Sequence, residues 1–251
     1  MTSSHIRYFS FLSLTIALGT TTACQNGGTP RPTPEHPGVP YGEGENQWLN
    51  LYLADSDTPT PVYVFSHANG STADDVSGFV DELKGVGIST VSWESVVLPD
   101  GSAEDIETGW SDAQLMLDWL KENADTYNLD TDKMIIGGRS RGSLFSWQLA
   151  HSQEPDIKGI YMFQALPDGV WQNTDSWTPT DEVTENSPPM KLTYKEAPGT
   201  TDGHKPEHGY TILDRYEELG IGNKAELTHS LEGEASLFYD IADWCTNLLE
   251  Q

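Results

Sequence analysis

From Gln47 onward the spacing of apolar residues switches repeatedly between two and 3.6. Gln47–Leu53 alternates as an early strand. Pro61–Ser66 (PVYVFS) is a β-branched and aromatic run that predicts a buried strand. Asp74–Lys84 carries apolar residues at helical spacing, and Gly87–Trp93 reads as a strand. Ala103–Thr126 is a long amphipathic helix with Ala113, Leu117 and Leu120 on one face. Lys133–Gly137 predicts a short apolar strand, Ser143–His151 a helix and Ile157–Phe163 a strand. An irregular stretch, Gln164–Pro189, holds Trp171 and Trp177. Met190–Tyr194 and Lys224–Leu231 are the last strands, Glu207–Leu219 and Ser236–Leu249 the last helices.

Strands alternating with helices imply a mostly parallel sheet with helices on both faces, a three-layer α/β/α sandwich. No internal repeat and no second domain interrupts Gln47–Gln251. In such sheets ligands bind beyond the carboxyl ends of the strands, so the chemistry belongs in the loops that follow them.

The segment before Gln47 has a different character. Met1–Ala23 runs from a weakly basic start (His5, Arg7) through a short apolar core to small residues, the pattern of a secretory signal. Its apolar run is shorter than the roughly 20 residues a membrane span needs. Cys24 follows directly, where bacterial lipoproteins carry their lipid-modified cysteine. Thr21 stands where those signals usually have Leu, so lipidation and simple cleavage both remain open. Residues 24–46 are rich in Pro and Gly and read as an extended spacer. The expected location is outside the cytoplasm: a cell-envelope lipoprotein, or a periplasmic or extracellular protein. Any membrane contact would come through the lipid alone. Cys245 then has no partner and is expected as a buried thiol.

The net charge of −26 and the pI of about 4.3 disfavour binding to nucleic acid or to anionic lipid. No metal-binding spacing, phosphate loop or cofactor motif is present.

Directly after Lys133–Gly137 comes Gly138-Arg139-Ser140-Arg141-Gly142. In G-x-S-x-G between strand and helix, the serine sits on a strained turn that lifts its hydroxyl to the sheet edge. The glycines let that turn approach its neighbours. The helix N-terminus and the Arg141 N–H then face a developing oxyanion. Upstream, PVYVFS ends in His67-Ala68-Asn69-Gly70.

In these segments the chain resembles the α/β-hydrolase fold family, within it the carboxylesterase-like and feruloyl or acetyl-xylan esterase-like members. The resemblance covers roughly Gln47–Leu249 and implies a minimal cap and no cofactor. It implies a small-molecule ester as substrate, Ser140 as nucleophile, and a second oxyanion N–H from Ala68 or Asn69, where the family has glycines. His67 would orient that loop. The candidate substrate-binding set is His67, Arg139, Trp171, Trp177 and His204. Arg139 and Arg141 flank Ser140 and would suit a carboxylate-bearing or sugar-acid ester, or would pair with the abundant acids.

After Met190–Tyr194, Gly199-Thr200-Thr201-Asp202 puts Asp202 at the family's acid position, with Glu196 as runner-up. The family's histidine follows the last strand in a pattern such as G-x-G-H-x-F. Here Gly233 and Phe238 match, and Ser236 stands in place of the histidine. Three readings of the base compete. It has moved to His229; it is His204 or His208, beside the acid; or it is lost. The expectation assigns Ser140, Asp202 and His229 to catalysis. In the third reading the protein is a degraded hydrolase-fold lipoprotein that binds a ligand. Its residual hydrolysis would be about 10³–10⁴-fold over water.

Overall fold

The computed structural model describes residues 31–95, 103–152, 155–166, 179–232, 238 and 240–250. The signal segment, Cys24, Trp171, Trp177, Gly233 and Ser236 lie outside them.

The strands are β1 (His36–Pro40), β2 (Trp48–Tyr52), β3 (Thr60–Ser66), β4 (Ser89–Trp93), β5 (Leu129–Arg139), β6 (Ile157–Phe163), β7 (Met190–Thr193) and β8 (Ala225–Thr228). The helices are α1 (Phe79–Gly85), α2 (Ala103–Asn123), α3 (Gly142–His151), α4 (Glu207–Glu218) and α5 (Ile241–Leu249). The strands form one sheet in the order β1-β2-β4-β3-β5-β6-β7-β8. The pairs β1–β2 and β2–β4 are antiparallel, and every pair from β4–β3 to β7–β8 is parallel.

Alternation within the strands divides the core in two. Val62, Val64, Met134, Ile136, Ile160 and Met162 pack with Leu117 and Leu120 of α2, Trp147 of α3 and Ile212 of α4. Tyr63, Phe65, Ile135, Tyr161 and Phe163 pack instead with Phe79 and Leu83 of α1 and Ile241 and Cys245 of α5. Two apolar faces covered by separate helices make the three layers. Cys245 is buried and unbridged, and burial pushes its thiol well above the ordinary range.

Several boundaries depart from the periodicity, and four have a visible cause. The expected spacer contributes β1, an edge strand in which prolines are tolerated because one side needs no ladder hydrogen bond. Tyr41 just after it is buried and donates to the Glu94 carbonyl at 2.6 Å. β5 starts at Leu129, because the polar stretch after it still pairs, Thr60 and Pro61 lying opposite Leu129 and Asp130 across a bulge. α1 starts at Phe79, because the Asp75 carboxylate holds the Thr72 N–H in a turn and Asn50 holds Asp74. β8 ends at Thr228, and Ser230, at φ 60°, turns the chain and donates its N–H to the Glu196 carbonyl.

Candidate active site

The end of β5 delivers Ser140 in the left-handed region, at φ 52°. For a residue with a Cβ this costs roughly 1–2 kcal/mol, so the surroundings must enforce it. They do so from three sides. The Ser140 N–H donates to the Phe163 carbonyl at the end of β6 at 3.1 Å. The Ser140 carbonyl accepts from the Ser143 N–H at 3.0 Å and from the Ser143 hydroxyl at 2.5 Å. That hydroxyl in turn accepts from the Leu166 N–H at 2.9 Å.

Both motif glycines are sterically required. A Cβ on Gly138 would lie 2.9 Å from the Ser143 backbone and the Ser146 hydroxyl. A Cβ on Gly142 would fall onto the carbonyl oxygens of Ser66 and His67. The second close approach seats the serine turn directly against the loop after β3. Ser146 bonds Ser66 Oγ at 2.7 Å and the Gly137 carbonyl at 2.6 Å. The Trp93 indole N–H also reaches Ser66, at 2.9 Å, so three strand ends are tied together under the turn.

The imidazole that reaches Ser140 is that of His204. Its Nε2 lies 2.8 Å from Ser140 Oγ. Its Nδ1 lies 3.3 Å from Asp202 Oδ1, which also accepts the His204 backbone N–H at 2.8 Å. With Nδ1–H directed at the carboxylate, Nε2 offers a lone pair to the serine hydroxyl. Serine, imidazole and carboxylate therefore form one chain of contacts. The loop that carries them is closed by Glu207, which accepts the Gly199 N–H at 2.5 Å, and by Thr200, which accepts the Asp202 N–H at 3.3 Å. The acid is open to solvent: the Asp202 side chain is 47% exposed and that of His204 34%. The hydrogen bond from the His204 backbone, followed by the imidazole and Lys195, holds the Asp202 carboxyl below its ordinary range.

His229, the residue assigned to the base by its position near the last strand, is placed elsewhere. β8 stops one residue before it. Its Nδ1 lies 3.0 Å from Ser230 Oγ, and its ring stands edge-on to Tyr210 of α4 at 6.4 Å. His208, in the first turn of α4, is pushed down by burial and by Lys205. The signal for His204 was in the chain: Asp-Gly-His is an Asx-turn sequence. The backbone bond from residue 204 to Asp202 folds the imidazole back onto its own acid.

The substrate-binding expectation changes in two places. His204 contacts the serine itself. His67 is turned inward, with Nε2 2.9 Å from Glu94 Oε1 and Nδ1 3.0 Å from the Ala68 carbonyl, so neither ring nitrogen is offered to a ligand. Arg141 is buried immediately before α3, and Arg139, half-buried, closes β5 opposite Phe163. Among the described residues no cluster of His, Cys, Asp and Glu could hold a metal ion, and no helix is long and apolar enough to cross a membrane.

No protein-family model matches the sequence, and no curated protein does. Solved structures do match in shape. A truncated carbohydrate esterase from gut microbiota superposes with a TM-score of 0.71 at 13% identity, over 85% of this chain and 95% of that one. Esterase 2 of Thermogutta terrifontis, phosphorylated by paraoxon, gives 0.68 at 15% identity, over 86% and 95%. An acetyl ester-xyloside bifunctional hydrolase from Caldicellulosiruptor lactoaceticus gives 0.65 at 14%, over 86% and 95%. With the strand order, the serine turn after β5 and these superpositions together, the chain has the α/β-hydrolase fold.

Proposed function

We propose that this protein is a serine esterase that cleaves a small carboxylic ester through an acyl-enzyme. The observation that carries the reading is the 2.8 Å contact between Ser140 Oγ and His204 Nε2. Ser140 Oγ attacks the ester carbonyl while His204 Nε2 takes its proton. The protonated His204 returns that proton to the leaving alkoxide as the C–O bond breaks. Water, deprotonated by the same nitrogen, then attacks the acyl carbonyl, and the imidazolium returns the proton to Ser140 Oγ as the acyl–oxygen bond breaks and the acid leaves. Asp202 steadies the Nδ1–H tautomer and the charge that the imidazole acquires.

Two backbone donors stabilise the oxyanion in this reading: the Arg141 N–H at the start of α3, and one from the loop after β3. Peptide geometry favours Asn69 for the second. The C=O and the following N–H of a trans peptide point in opposite directions. The Ala68 carbonyl faces His67, so the Asn69 N–H is turned away from that buried side. The His67 carbonyl faces Gly142, so the Ala68 N–H is turned away from the serine turn.

The superposed esterases named for carbohydrate substrates favour an ester carried on a sugar. We place the activity outside the cytoplasm on the strength of the leader Met1–Ala23, with Cys24 as the site of a lipid anchor. The test is hydrolysis of p-nitrophenyl acetate by the wild type and by Ser140→Ala. Turnover that vanishes in the variant supports the proposal. Equal rates for the two proteins overturn it in favour of a ligand-binding role for the same fold.

A further inference from the structure

The loop between β3 and α1 rests on a buried charge pair that the serine, imidazole and carboxylate contacts do not use. Glu94, just after β4, has a side chain only 5% exposed. Its Oε1 accepts from the Ser95 N–H at 3.1 Å and its Oε2 from the Ala73 N–H at 3.2 Å. Among the described residues its ion-pair partner is His67, at 2.9 Å. A carboxylate this deep without a cation would be strongly destabilising.

The other ring nitrogen of His67 is held as well. His67 Nδ1 faces the Ala68 carbonyl at 3.0 Å. A carboxylate and a carbonyl are both pure acceptors, and a neutral imidazole carries a single N–H. Only the imidazolium can satisfy both contacts at once. The Ala68 carbonyl is also bound by the Ser71 N–H at 3.1 Å, so the peptide that ends in the Asn69 N–H is fixed from both sides.

We propose that His67 is a charged positioning residue: held as an imidazolium by Glu94, it aims the Asn69 N–H for the reaction, and loss of its proton sets the alkaline limit of activity. The inference rests on the esterase reading for its catalytic half. When Nδ1 or Nε2 loses its proton, a lone pair meets the lone pairs of Ala68 or Glu94, and the loop must shift. His204 acts as a neutral base toward the serine proton, while loss of the His67 proton limits activity on the alkaline side.

The surroundings of His67 act in both directions, and the acidic groups prevail. Burial opposes the charge on His67, but the hydrogen bond and charge of Glu94 outweigh it, Asp75 adds to them, and the imidazole is raised above its usual range. Asp75 itself pairs with Arg31 at 2.6 Å. On the α2 side Asp112 accepts the Ser95 hydroxyl at 2.7 Å, on the β2 side Asn50 donates to Asp74 at 2.8 Å, and the Tyr41 phenol donates to the Glu94 backbone carbonyl.

The experiment combines imidazole ¹H–¹⁵N NMR of the mature protein over pH 5–10 with pH profiles of kcat and KM for p-nitrophenyl acetate. Both are measured on wild type and Glu94→Gln. In the wild type, both ring N–H groups of His67 persist above the ordinary titration point of about 6.5. In Glu94→Gln, the His67 titration and the alkaline limb of kcat move down together by about one pH unit or more, with KM little changed. A wild-type His67 that titrates at or below the ordinary value overturns the lock, whatever the variant does. A raised titration with an unmoved alkaline limb in Glu94→Gln overturns its link to catalysis and leaves the esterase reading standing. Hydrolysis that does not depend on Ser140 removes the esterase reading, and the NMR titration still decides the charge pair.

Discussion

His204 lies 64 residues from Ser140 in the chain, and its Nε2 sits 2.8 Å from the serine oxygen, although the acid it touches is only two residues before it. Asp202 and His204 share the loop between β7 and α4. They do not come from two different strand ends. Parallel pairing of β5 with β6 and of β6 with β7 brings that loop alongside the serine turn. The imidazole beside the serine thus comes from the loop after β7, not from the segment after the last strand where the family's histidine is expected.

Exchanging the candidate bases separates them. His204→Ala lowers kcat for p-nitrophenyl acetate by about 10²–10⁴-fold, the range expected for losing a general base. His229→Ala, which removes a contact to Ser230 and an edge to Tyr210, stays within about 3-fold. Steady-state kinetics on the two variants measures both.

Asp202→Asn costs less than removal of the buried acid in a protease triad, where the loss is about 10⁴-fold. Here the carboxylate is half exposed and its contact to Nδ1 is 3.3 Å, so solvent shares its work. A fall in kcat of about 10-fold is expected at neutral pH. Removing the acid changes kcat more than KM, because the charge it supports develops during the reaction.

Gly142→Ala drives a methyl group into the carbonyl oxygens of Ser66 and His67, which belong to rigid backbone. The expected loss is about 1–3 kcal/mol of unfolding free energy, read from urea denaturation. Activity falls as well, because the same contact seats the serine turn against the loop after β3.

His151 gives a pH dependence of stability with a defined sign. Burial pushes it down to about 3 in the folded protein, where its Nδ1 faces Ser187 Oγ at 2.9 Å. Below about 6.5 the unfolded chain takes up a proton that the folded chain refuses. Stability is therefore lost as pH falls from about 6.5 toward 3, by up to about 1.4 kcal/mol per unit. Between pH 6.5 and 5 the wild type should lose about 2 kcal/mol more than His151→Leu. Urea denaturation of both proteins at the two pH values measures the difference.

The chain alone determined the layer architecture, because the switch between two-residue and helical spacing is a property of neighbours in sequence. It also determined the serine turn, since Gly138 and Gly142 are the side-chain-free positions that such a close approach demands. The edge strand His36–Pro40 was hidden because its own pattern buries little; only the partner β2 makes it a strand. The choice of His204 among the candidate imidazoles was left open for the same kind of reason. Sequence records that His204 is near Asp202, but not that two parallel pairings bring their loop to a serine 62 residues before the acid. Likewise, PVYVFSHANG reads as strand and loop, while the charge on His67 depends on Glu94, held opposite by the parallel register of Ser66 with Trp93. Short-range periodicity is written residue by residue. The meeting of groups far apart in the chain is decided by sheet register, which exists only once the strands have paired.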